Sequence, residues 1–124
     1  MVVLFLAAAA PAAADDSPRA AGAVRLVMFQ ADGCSWCARW NREIGAIYDK
    51  TDEGHLAPLR RVDLDLTRPA DLTFVKGVVF TPTFVLVRDG REVGRIVGYP
   101  GEEFFWPLLG DLLKRLEQPG VGKS

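Results

Sequence analysis

The chain has only two cysteines, and they stand three residues apart, Cys34-Ser35-Trp36-Cys37, between a short apolar run and an amphipathic stripe. Ahead of them, Arg25-Leu-Val-Met-Phe29 is rich enough in strand formers to be a buried strand. Behind them, Cys37, Trp40, Ile44, Ile47 and Tyr48 recur at spacings of three and four, which is one face of a helix over about residues 35–50. The pair is thus read at a strand-to-helix junction. Cysteines at i and i+3 in a first helical turn can close a disulfide and open it again. Cys34, at or just before that turn, faces unpaired backbone N–H groups and the positive end of the helix dipole, and both favour a thiolate. Cys37, one turn deeper on the apolar stripe, is expected to be more buried and to stay protonated longer. Those environments suit Cys34 as the attacking thiol and Cys37 as the resolving one.

Two other readings of the pair stand beside this one. An inert disulfide would be a poor staple, because so small a loop removes little chain entropy. A zinc or copper site needs more soft ligands than the chain supplies: there is no third cysteine, and His55 is the sole histidine. A closed tetrahedral site would need a second chain. His55 follows Gly54 and reads as an exposed loop residue.

A length of 124 residues gives room for one domain and one core. The chain is 49% hydrophobic and 25% charged, which argues against disorder. Fifteen basic residues against sixteen acidic ones leave a formal charge of −1, so no basic surplus invites nucleic acid. Met1-Val-Val-Leu-Phe-Leu-Ala-Ala-Ala-Ala10 is too short to span a bilayer comfortably. With the small residues up to Ala14 it matches a cleaved signal peptide over residues 1–14, with an uncleaved anchor as the alternative. No Lys or Arg precedes the apolar run, so either the α-amino group carries the positive charge or the true start lies upstream. Residues 15–23 read as a flexible lead-in, 24–117 as the folded domain and 118–124 as a flexible tail.

Gly54 is a plausible stop for the first helix. The run from Leu59 to Leu66 alternates over its second half, as a strand does. Thr67-Arg-Pro69 then opens a short helix to about Val75, which Gly77 interrupts. Thr83-Phe-Val-Leu-Val87, Asp89-Gly90 and Glu92-Val-Gly-Arg-Ile-Val97 form a hairpin. Phe105, Leu108, Leu109, Leu112, Leu113 and Leu116 stripe a closing helix, which must start near Glu103 or Phe104 if Pro107 is to sit in its first turn. The order β-α-β-α-β-β-α predicts an α/β fold. Its mixed four-stranded sheet has a parallel first pair, an antiparallel hairpin, and helices on both faces.

A CxxC at a strand-to-helix junction, then Thr81-Pro82-Thr83 about 45 residues on and an Asp-Gly hairpin, resembles the thioredoxin superfamily over about residues 24–116. The resemblance implies the thioredoxin fold, thiol:disulfide exchange without a cofactor, and a monomer that acts on a disulfide or thiol of a partner protein. It implies that Pro82 is a cis-proline beside the cysteines, and that the Thr81 backbone pairs with an incoming peptide. Gly98 matches the glycine of the family's substrate-binding loop.

The departures are specific. The family's buried Asp, six residues before the first cysteine, is Met28 here, and the lysine of the next strand is Arg61. No replacement general base is evident, so proton transfer at Cys37 falls to water or to the partner. Ser-Trp replaces Gly-Pro between the cysteines, without the histidine of strongly oxidising periplasmic members. The chain therefore resembles a reductase or specialised exchanger more than a general oxidant. The segment from Gly98 to Pro107 is similar to periplasmic thioredoxins that accompany thiosulfate-oxidising (Sox) systems. That narrower likeness implies a sulfur-carrier protein as partner. The export signal implies periplasmic localisation, and a reductase in that oxidising compartment needs electrons relayed from the cytoplasm by a membrane protein. An oxidase or isomerase of exported proteins, or a non-enzymatic binding module, remain the alternatives. Trp36, between the cysteines, reads as an apolar shelf for the partner and Tyr99 as a residue on the groove's rim. Trp40, Phe105 and Trp106 read as packing residues and Asp32 as a solvated turn residue.

Overall fold

The computed structural model describes residues 23–118. The expected signal peptide, residues 15–22 of the lead-in and residues 119–124 of the tail lie outside the described residues. Strand β1 (Val24–Gln30) holds Leu26, Val27, Met28 and Phe29 with no exposed surface, as its unbroken apolar run requires. It pairs in parallel with β2 (Leu59–Asp63) on one edge and antiparallel with β3 (Thr83–Arg88) on the other. Strand β4 (Arg91–Val97) closes the order β2-β1-β3-β4.

Alternate residues of β1 and β3 feed two cores. Leu26, Met28, Phe84 and Leu86 face a layer built from helices on both sides of the hairpin in sequence, with Trp40, Ile44, Tyr48, Phe105 and Leu109. Val27, Phe29, Val85 and Val87 face Val62, Leu72, Val75 and Val78. The register of β3 on β4 shifts between Leu86 and Val87, a bulge that turns both Val93 and Gly94 toward the helical layer.

Helix α1 follows the cysteines in three stretches: α-helical Ser35–Trp40, a π-helical stretch Asn41–Gly45, and α-helical Ala46–Tyr48. In the wide π turn each residue advances by less than in an α-helix. The stripe therefore drifts: Cys37, Trp40, Ile44 and Tyr48 stay buried, whereas Ile47, expected on the same face, swings out to solvent. Gly45 lies against the Trp40 ring and the Asn41 side chain, where a Cβ would sit 3.2 Å from each.

Further local expectations are corrected. Gly54 does not end the first helix; it lies buried inside a second one, α2 (Asp52–Leu56), so His55 is helical, though exposed as expected. Thr51 caps α2 by accepting from the Gly54 N–H at 2.9 Å, and its hydroxyl donates to the Tyr48 carbonyl at 2.6 Å. The strand expected to reach Leu66 stops at Asp63, whose carboxylate accepts the Asp65 N–H at 2.8 Å and turns the chain. The helix expected from Thr67 to Val75 contracts to a 3-10 turn, Ala70–Leu72. Leu72, Val75 and Val78 are buried at a spacing of three, so the second face is covered by this segment rather than by a full α-helix.

The closing helix α3 (Glu102–Lys114) begins earlier than expected, which makes Pro107 its sixth residue instead of a first-turn residue. The carbonyl that loses its N–H partner belongs to Glu103, an exposed residue, so water can take the donor's place.

Gly54 is required by proximity: a Cβ there would drive into the carbonyl of Tyr48 and the Asp49 Cα, both backbone. Gly→Ala in an open helix stabilises by up to about 1 kcal/mol. Gly54→Ala should instead destabilise by about 1–3 kcal/mol, as overpacking does. Urea unfolding followed by tryptophan fluorescence measures the difference.

Candidate active site

The turn that leaves β1 carries Asp32, which is exposed as expected, and Gly33 at φ 78°, and delivers Cys34 as the N-cap of α1. Cys34 has extended backbone (φ −83°, ψ 104°), and its Sγ accepts the Cys37 N–H at 3.0 Å. The sulfur thus occupies the place of a capping oxygen, opposite one of the helix's orphan donors. Cys34 is half-buried, whereas Cys37 is only 4% exposed. The two are joined in a disulfide with their Cα atoms 5.2 Å apart. Cys34 Sγ therefore lies beside a backbone donor and the positive end of the helix dipole, an environment that favours negative charge on sulfur.

Register brings the remaining site residues to the same end of the sheet. Phe29 pairs with Thr83, and Thr83 with Val97, so the turn before Cys34, the Thr81–Pro82 segment and Gly98 share one edge. The Thr81–Pro82 peptide bond is cis. Gly98, at φ 84°, donates its N–H to the Pro82 carbonyl at 2.7 Å, which ties the two loops together. Thr83 donates from its hydroxyl to the Phe80 carbonyl at 2.7 Å and so folds back the segment ahead of Thr81.

Trp36 is 51% exposed, and Trp40 is fully buried, as expected for packing. Phe105 is likewise core, and Trp106 packs partly buried against the same cluster. Tyr99 differs from its expected place on the rim: it is 5% exposed, packs edge-on to Phe105, and donates its hydroxyl to Glu43 at 2.6 Å. The residue is large and apolar enough that the loop turns it inward, where its one polar atom finds a carboxylate.

Sequence reading missed Phe80, which is 64% exposed beside Thr81, and the Arg39–Glu43 pair on α1, bonded at 3.0 Å. The i,i+4 spacing of that pair was a readable signal; its link to Tyr99 was not.

Below the pair, Met28 is fully buried and its register partner is Arg61. The Arg61 guanidinium donates to Asn41 Oδ1 at 2.7 Å and Gln30 Oε1 at 3.1 Å, lies 3.7 Å from Met28 Sδ, and rests over the Trp40 ring. A thioether and a permanently charged guanidinium thus stand where the family carries an acid and a lysine, and neither accepts a proton. Among the described residues, no three of His, Cys, Asp and Glu gather closely enough to hold a metal ion.

This sheet, with a cysteine pair capping the helix that leaves its central strand, defines a thioredoxin-type thiol:disulfide oxidoreductase. The chain belongs to the thioredoxin-like family, whose domain model matches residues 13–113. Among solved structures, it is similar to the periplasmic thioredoxin SoxS from Paracoccus pantotrophus in reduced form. The two are 47% identical over 73% of this chain and 96% of that one, with a TM-score of 0.69. It is also similar to Fasciola hepatica thioredoxin, 27% identical over 73% of this chain and 82% of that one, TM-score 0.57. Malassezia sympodialis thioredoxin, 22% identical over 75% and 77%, TM-score 0.54, shares the fold. No curated protein matches the chain.

The Tyr99 hydrogen bond and then Arg39 hold the Glu43 carboxyl below the usual carboxylate range. Burial, followed by the Glu43 carboxylate, pushes the Tyr99 phenol well above its ordinary value. A depressed carboxylate pKa stabilises the fold above the unfolded-state value, and that contribution is lost as pH falls through the folded-state value. Tyr99→Phe removes the larger cause, so the Glu43 midpoint in a carboxyl NMR titration should move up toward the ordinary value. It should stay below that value because Arg39 remains.

Proposed function

We propose that the protein is a periplasmic reductase of a disulfide on a partner protein. The observation that carries this reading is the asymmetry of the pair, a half-buried Cys34 whose Sγ caps the helix and a buried Cys37 one turn behind. In the reduced enzyme, Cys34 thiolate attacks one sulfur of the partner's disulfide. A Cys34–partner bond forms, the partner's S–S bond breaks, and its second sulfur leaves as a thiolate that takes up a proton. Cys37, after losing its proton to water or to the partner, attacks Cys34 Sγ and releases the remaining partner sulfur. Two electrons have then passed from the pair to the partner, and the Cys34–Cys37 disulfide is closed.

Docking falls to Trp36, Thr81, Pro82 and Gly98. Trp36 offers an apolar face, the Thr81 backbone pairs with the incoming chain, and the cis Pro82 and Gly98 shape the floor. Tyr99 acts on this groove from beneath rather than by contact. Periplasmic location is supported by the likeness to a protein described as periplasmic thioredoxin SoxS; export on residues 1–14 follows from their signal-peptide pattern, and a sulfur-carrier protein as partner from the sequence resemblance. An exported reductase in an oxidising compartment draws its electrons from outside it, and a membrane protein relaying them from the cytoplasm supplies that need.

Cys37→Ser should trap a mixed disulfide between Cys34 and the partner, seen by mass spectrometry and released by dithiothreitol. Alkylating Cys34 should abolish exchange. A protein that keeps its partner after alkylation is a binding module, not an exchanger. The reduction potential of the pair against glutathione fixes direction: a value near that of cytosolic thioredoxins, about −270 mV, supports the reductase. One near −120 mV would make it an oxidase.

A further inference from the structure

An unbroken set of contacts runs from the core to the residue between the cysteines. Tyr99 is fixed by burial and by its ring contact with Phe105. Its hydroxyl donates to Glu43 Oε1 at 2.6 Å, and Glu43 Oε2 accepts from Arg39 Nε at 3.0 Å. The Arg39 guanidinium carbon lies 5.4 Å from the centre of the exposed Trp36 ring. Each member limits the freedom of the next: a buried phenol orients a carboxylate, the carboxylate holds a guanidinium, and the guanidinium stacks on an indole. Tyr99 follows Gly98, so the same contacts also tie the loop after β4 to α1.

We propose that Tyr99, Glu43 and Arg39 are positioning residues that hold the Trp36 indole in place before a partner arrives. An exposed side chain that is already ordered loses less conformational freedom on binding. The network therefore acts on recognition of a protein disulfide and not on the sulfur chemistry itself. This inference rests on Trp36 being a docking surface, and the experiment separates the two.

The variants are Tyr99→Phe, which keeps the ring and removes only the donor, Arg39→Met and Trp36→Ala. The three indole N–H groups, of Trp36, Trp40 and Trp106, report order parameters by 15N relaxation. Tyr99→Phe and Arg39→Met should lower the value for Trp36 and leave Trp40 and Trp106 unchanged. With insulin as the protein disulfide and dithiothreitol as electron source, both should raise KM by about threefold to tenfold at constant kcat. Reduction of a small aromatic disulfide, Ellman's reagent, should keep its rate. A Trp36 indole that is equally ordered in Arg39→Met overturns the inference, as does a loosened indole with unchanged KM. If Trp36→Ala itself leaves the insulin KM unchanged, the docking surface fails and the inference with it. If Trp36→Ala raises KM and Tyr99→Phe does not, the network alone fails.

Discussion

Strand β1 is paired along both edges and buried on both faces, and the position of the reactive sulfur follows from that confinement. Four successive side chains, Leu26 to Phe29, are removed from water. At about 1.5–3 kcal/mol for each fully buried large apolar side chain, that stretch has no competitive alternative placement. Its last residues then set where the chain emerges. The turn through Gly33 has few options left, and Cys34 arrives at the mouth of α1 with its Sγ against the Cys37 N–H. The cysteine asymmetry is thus a consequence of the sheet, because Cys37 must face the layer that Leu26 and Met28 face.

The layer beneath the pair departs from the family's pattern in a consistent way. Replacing a buried carboxyl with Met28 removes a titrating group, and the neighbouring lysine becomes Arg61, held by Asn41, Gln30 and the Trp40 ring. Gly45 makes that arrangement possible by leaving room for Trp40 and the arginine. The π stretch over Asn41–Gly45 belongs to the same adjustment: it keeps Trp40, Ile44 and Tyr48 inward while releasing Ile47.

Much of the fold was legible because the apolar pattern is strong where the structure is regular. The run Arg25–Phe29, the Asp89-Gly90 hairpin and the stripe from Phe105 to Leu113 each specify their element locally. Legibility failed where a contact from elsewhere decided the matter. Gly54 reads as a stop, yet it is a point of backbone approach to Tyr48. Thr67 to Val75 carries helix-compatible residues, yet Pro69 and a spacing of three among the buried side chains give a single 3-10 turn. Of the site, the two cysteines and the Thr81-Pro82 element were readable as motifs. The Tyr99–Glu43 contact was not, since no local pattern pairs residues 43 and 99.

By itself, the sequence determined the chemistry: two thiols a helical turn apart, an apolar strand before them, and no third cysteine. Those are properties of residue type and spacing, and they survive any arrangement of the loops. Tertiary structure alone decided which side chains pack together around the site and how they are held. It put Arg61 under Trp40 and turned Tyr99 inward onto Glu43. The reason is distance along the chain: such contacts join segments that meet only once the sheet has set their register, so no local preference encodes them.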